Sequence, residues 1–159
     1  MTNLIVYETV FGNPATLAKA MASELETTHS VRLAAVGTAT NVSLDGVDLL
    51  IVGSPTRGFR PTPNMQNFLD GFADATLGPL AAAAFDTRLD LETIHPAPLR
   101  WVVEVGGYAS DVLQRMLAAK GCVLAGEPAG FLVGGTEGPL RDGEVERARA
   151  WARSLVKAG

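Results

Sequence analysis
Cysteine occurs once in the 159 residues, at Cys122, and histidine twice, at His29 and His95. A lone thiol excludes an intramolecular disulfide and a cysteine-held metal cluster. Two histidines far apart in sequence do not offer the ligand spacing of a zinc site. Charge is sparse at 19%, and acidic residues outnumber basic ones, 17 to 13, for a net charge of −4. That balance lacks the basic footprint that nucleic-acid phosphates require, so no nucleic-acid partner is expected. No apolar run approaches the roughly 20 residues of a bilayer span. The Met-Thr-Asn start lacks the basic and then hydrophobic character of a secretory signal. The expectation is a cytoplasmic protein with no membrane partner.

Hydrophobic residues make up 47% of the chain, and neither repeats nor low-complexity segments interrupt it. A single domain over 1–159 follows. Short apolar runs at Leu4 to Tyr7, Val31 to Val36, Val47 to Gly53 and Ala82 to Phe85 read as strands, the third apolar almost throughout, as a strand buried on both faces should be. Cys122 to Ala125 and Gly130 to Val133 read as two pieces of a last strand, broken around Pro128. Between them lie helical patterns. The first opens with Asn13 as cap and Pro14 as first helical residue, followed by Leu17, Met21 and Leu25. The second repeats the signal at Thr62-Pro63, with Met65, Phe68, Leu69 and Phe72 as its apolar stripe. A third covers Tyr108 to Lys120, with Val112, Leu113, Met116 and Leu117 inward and Gly121 as its stop. The last runs from Glu144 to Val156 with Val145, Ala148, Ala152 and Leu155 inward. The stretch Gly37 to Gly46 leaves room for little more than a short helix. Strands alternating with helices predict an α/β fold, a doubly wound parallel sheet whose ligand lies beyond the carboxyl ends of its strands.

The loop after the first strand, Thr9-Val10-Phe11-Gly12-Asn13-Pro14, leads into a helix start, where free N–H groups and a partial positive charge suit an anion such as phosphate. Taken alone it reads equally as a tight turn using Gly12 and Asn13 for conformation only. The loop after the third strand reads Gly53-Ser54-Pro55-Thr56-Arg57-Gly58-Phe59. With Tyr7-Glu8-Thr9-Val10-Phe11-Gly12-Asn13, and with the stretch Gly130 to Leu140, this Gly-Ser-Pro-Thr-x-Gly turn resembles the flavodoxin family over nearly the whole chain.

The resemblance implies a flavodoxin-like, three-layer fold with a five-stranded sheet in the order 2-1-3-4-5. It also implies flavin mononucleotide (FMN), with the phosphate on Thr9, Val10, Phe11, Gly12, Asn13 and Pro14. The ring would lie by Pro55, Thr56, Arg57, Gly58 and Phe59 and by Gly107 and Tyr108. Electrons would pass through the exposed ring edge to redox partner proteins, and the chain would supply binding and potential rather than acid–base catalysis. Phe59, Trp101 and Tyr108 are the aromatic candidates for the ring walls, each with an ordinary packing role as its alternative.

The phosphate loop departs from the family's Ser/Thr-x-Thr-Gly-Asn-Thr. Phe11 and Pro14 replace hydroxyl residues, and Pro14 also lacks an N–H. At about 1.5 to 3 kcal/mol for each charge-assisted hydrogen bond, the loss spans several powers of ten in affinity. Thr16 is a candidate to replace one hydroxyl. Arg57, if beside the ring, raises its potential through Coulomb attraction.

Thr87 to Gly107 is too long for a structureless loop. Alternation through Leu99, Trp101, Val103 and Val105 predicts an extra short strand at 99–105, in a sheet edge, a flap or a homodimer contact through 96–106. Three functions fit: an FMN-binding electron-transfer protein, a flavodoxin-like module that has lost FMN, and an FMN-dependent NAD(P)H or quinone reductase.

Overall fold
The computed structural model describes residues 2–8, 12–36, 44–56, 61–72, 77–89, 109–134 and 139–157. Their order is β1 (Thr2–Tyr7), α1 (Asn13–Leu25), β2 (Ser30–Ala35), β3 (Leu49–Pro55), α2 (Pro63–Asp70), β4 (Ala81–Leu89), α3 (Ala109–Ala119), β5 (Val123–Leu124), β6 (Ala129–Val133) and α4 (Glu144–Lys157). The strands pair in parallel in the order β2-β1-β3-β4, and β4 then pairs with β5 along its first residues and with β6 along its last. β5 and β6 are thus the two pieces of one final strand, and the order 2-1-3-4-5 holds. The expected extra strand at 99–105 and the short helix in 37–46 fall mainly or wholly outside the described residues.

Alternation along buried strands sorts their side chains onto two faces. Ile5, Leu49, Ile51, Ala83, Phe85 and Phe131 meet Leu17, Met21 and Leu25 of α1 and Ala148, Ala152 and Leu155 of α4. Leu4, Val6, Leu50, Val52, Ala82 and Ala84 meet Met65 and Leu69 of α2 and Leu113 and Leu117 of α3. Helices therefore cover both faces of the sheet. Val112, Met116, Phe68, Phe72 and Val145, expected inward, are only partly buried. Phe68 and Met116 still pack against the second of these clusters, and Phe68 also forms an edge-to-face pair with Phe72, with centroids 5.5 Å apart.

β4 runs farther than Ala82 to Phe85, adding Asp86 to Leu89. Apolarity stops at Phe85, but hydrogen bonding to both neighbouring strands does not: Asp86 and Thr87 still pair with Ser54 and Pro55 of β3 and with Gly130 and Phe131 of β6. The α1 cap is Gly12 rather than Asn13, at φ 89°. Glycine takes that left-handed conformation without a Cβ penalty, and Pro14 stands one place deeper than the first helical position. Thr62 caps α2 as expected, accepting the Met65 N–H at 3.3 Å.

β6 lies at the border of the described sheet, and side chains of α4 and the backbone of Arg141 occupy its outer backbone groups. The Glu144 carboxylate accepts the Leu132 N–H at 2.7 Å, and Arg147 donates to the Gly130 carbonyl. The Leu132 carbonyl accepts the Arg141 N–H at 2.9 Å. These engaged groups are not open to pairing with another strand. Among the described residues no helix is long and apolar enough to cross a membrane.

Candidate functional site
Parallel pairing of β1 with β3 puts Tyr7 beside Gly53, and the Glu8 N–H donates to the Gly53 carbonyl at 2.9 Å. The chain leaving β1 and the chain leaving β3 therefore emerge side by side at one end of the sheet, next to the end of β4. Of the residues expected to hold a ligand, Gly12, Asn13, Pro14, Pro55 and Thr56 are described. Thr9, Val10, Phe11, Arg57, Gly58, Phe59, Gly107 and Tyr108, with Trp101, lie outside the described residues.

At the opening of α1, the N–H and the hydroxyl of Thr16 both donate to the Gly12 carbonyl, each at 3.0 Å. The Thr16 side chain is therefore turned back toward the helix, its hydroxyl engaged by that carbonyl. The reason is local: a hydroxyl four residues beyond the cap reaches the preceding turn's carbonyl. Pro14 is buried and has no proton to offer. Glu8 adds a carboxylate at this sheet end, where its Oε1 accepts from the Asn64 side-chain amide at 3.3 Å. The opening thus fits the phosphate of FMN through helix polarity and backbone, and less well through side chains.

The third-strand turn is built in two parts. Gly53 is required by packing: a Cβ there would lie 2.1 Å from the Phe85 ring. Phe85 cannot yield easily, because it stands edge-on to Phe131 and Trp151 at 6.2 and 6.1 Å. Ser54, fully buried, accepts the Thr62 N–H and donates to the Pro55 carbonyl, both at 3.0 Å. The residues on either side of 57–60 are therefore joined. Thr56 donates its N–H to the Thr87 carbonyl at 3.0 Å, and its hydroxyl accepts the Ala109 N–H at 3.2 Å. Sequence reasoning singled out Thr56, placed Ser54 and Glu8 in the loop motifs without giving them a role, and missed Asn64. Their hydroxyl, carboxylate and amide were visible, but their partners were not.

Cys122 does not belong to this site. It is buried behind α3, and burial pushes its thiol pKa up, so it stays protonated and inert at neutral pH.

No protein-family model and no curated protein matches the sequence. Solved structures do. The oxidised flavodoxin 2 of Bacillus cereus matches at 19% identity and a TM-score of 0.76, over all of both chains. The flavodoxin of Streptococcus pneumoniae TIGR4 matches at 18% and 0.73, again over all of both chains. A flavodoxin described as WrbA-like, from Agrobacterium tumefaciens, matches at 20% and 0.69, over 99% of this chain and 96% of that one. The fold is flavodoxin-like.

Proposed function
We propose that this chain, with its flavodoxin-like fold, binds FMN at the carboxyl ends of β1, β3 and β4 and carries electrons between protein partners in the cytoplasm. One observation supports the reading above others. The Gly12 opening of α1 and the Pro55-Thr56 turn emerge together at one sheet end, in a chain matched along its whole length by flavodoxins. The flavin would supply the redox chemistry when bound. Residues 9–14 would hold its phosphate end, and Pro55, Thr56, Arg57, Gly58, Phe59, Gly107 and Tyr108 its ring. Arg57 would place positive charge beside the ring, so Arg57→Ala lowers the midpoint potential.

The second reading, an interaction module without flavin, draws on Pro14 and on the Thr16 hydroxyl committed to Gly12. Titration decides between the two. Purified protein is mixed with FMN, and flavin fluorescence is followed. Saturable quenching at micromolar or lower FMN is the expected result, whereas no binding of FMN or riboflavin overturns it. NAD(P)H consumption with a quinone by the loaded protein would move the assignment to a reductase.

A further inference from the structure
The end of β4 carries a charged pair that neither the loop motifs nor the apolar pattern reveals. Asp86 is fully buried. Arg88 clasps its carboxylate with two bonds, Nε to Oδ1 and Nη2 to Oδ2, each 2.7 Å long. Oδ2 also accepts the Ser110 N–H at 2.9 Å, and Arg88 Nη2 donates to the Ser110 hydroxyl at 3.1 Å. The guanidinium lies on Gly130 of β6, where a Cβ would come within 2.1 Å of its Cζ. The ion pair thus joins the end of β4, the first turn of α3 and, through the guanidinium, the face of β6.

Removing a carboxylate and a guanidinium from water is costly. Well-packed apolar residues of the same volume often stabilise a fold as much or more. A bidentate pair adds what apolar residues lack, a fixed direction and distance. Here the direction is spent on the start of α3, where a negative charge is also favoured by the helix dipole. Ala109, one residue earlier, is held by Thr56, the residue after β3. The first two residues of α3 are therefore each pinned by a side chain from the strand ends that form the candidate site.

We propose that Asp86, acting through Arg88 and Ser110, is a positioning residue of the flavin site. It fixes where α3 begins relative to β3 and β4, and so sets the geometry on the ring side. The inference rests on the flavin reading. Two variants reach the pair from different sides: Asp86→Asn removes the charge but keeps the shape, and Gly130→Ala drives the guanidinium off from β6. Leu25→Ala, in the core at the far end of α1, serves as the destabilised control.

Two quantities are measured in each protein: NMR amide exchange at Ala109 and Ser110 without flavin, and the affinity and midpoint potential of FMN. Both variants should speed Ser110 exchange by about tenfold relative to the control at matched global stability. Both should also weaken FMN by about tenfold and shift its potential, while Leu25→Ala leaves the potential unchanged. Faster exchange with wild-type affinity and potential would reduce the pair to a structural clasp and overturn the proposal. Unchanged exchange overturns it at the first step. Wild-type protein that binds no FMN removes the flavin reading itself, a result told apart because it appears before any substitution is made.

Discussion

The hydroxyl of Thr56 accepts the N–H of Ala109 across 53 residues of sequence, at 3.2 Å. It therefore does for α3 what a cap residue does locally, satisfying one of the orphaned donors of a helix start. Thr56→Val keeps the shape and removes the acceptor. It should cost about 1 kcal/mol in urea unfolding, and Thr56→Ser should recover most of that.

The opening of α1 leads to a prediction about ligand preference. Pro14 lacks an N–H, and the N–H and hydroxyl of Thr16 both serve the Gly12 carbonyl. If flavin binds as proposed, the phosphate is held mainly by helix polarity and backbone, with little help from the Pro14 and Thr16 side chains, and adds little to the affinity. Riboflavin should then bind within about tenfold of FMN, a difference of roughly 1.4 kcal/mol. Pro14→Thr restores a proton and a hydroxyl and should widen the gap in favour of FMN. Parallel fluorescence titrations measure both; a much larger gap in the unaltered protein would contradict the argument.

Gly53 and Phe85 are coupled by contact. A methyl group at position 53 would sit 2.1 Å from the ring, so Gly53→Ala should lose about 1 to 3 kcal/mol through overpacking. The double variant Gly53→Ala with Phe85→Leu should lose less than the two single losses added together. The double-mutant cycle reads this coupling directly.

Glu144 ties stability to pH. Burial works to raise its pKa. The hydrogen bonds from Arg147 and the Leu132 N–H, and the Arg147 charge, outweigh burial and hold the carboxyl below its usual range. A folded pKa below the unfolded one means that the stabilisation is complete above the unfolded value, about 4.3. It is then lost as pH falls through the folded value. Urea midpoints followed from neutral pH into the acid range should fall less steeply for Glu144→Gln than for the parent. Because this carboxylate also covers the edge of β6, the variant should be less stable at neutral pH.

Asn3 is fully buried in the middle of the sheet, and among the described residues neither amide atom has a hydrogen-bond partner. Its strand neighbours are Val31 and Leu49. An unsatisfied buried amide costs about 1 to 3 kcal/mol, so Asn3→Val should raise the melting temperature. A lower melting temperature would contradict that cost.

The residues in order determined the layered architecture. Strand and helix periods, the Thr62-Pro63 cap, the Gly121 stop and the break around Pro128 are local chemistry. Apolar runs buried on both faces admit few arrangements other than a parallel sheet between helices. The carboxyl ends of the strands as the place to look followed from that architecture. Tertiary structure alone decided what the polar residues at those ends do. β4 continues through Asp86 because Arg88 and Ser110 satisfy its carboxylate. Gly53 is glycine because Phe85 rests on it. The Thr16 hydroxyl is engaged by the Gly12 carbonyl. The physical reason is common to all three. Burying an apolar group is favourable almost wherever it happens, so its pattern can be read along a line. The cost of a buried polar group, or of a missing Cβ, is set by the atoms that meet it, and those come from distant parts of the chain.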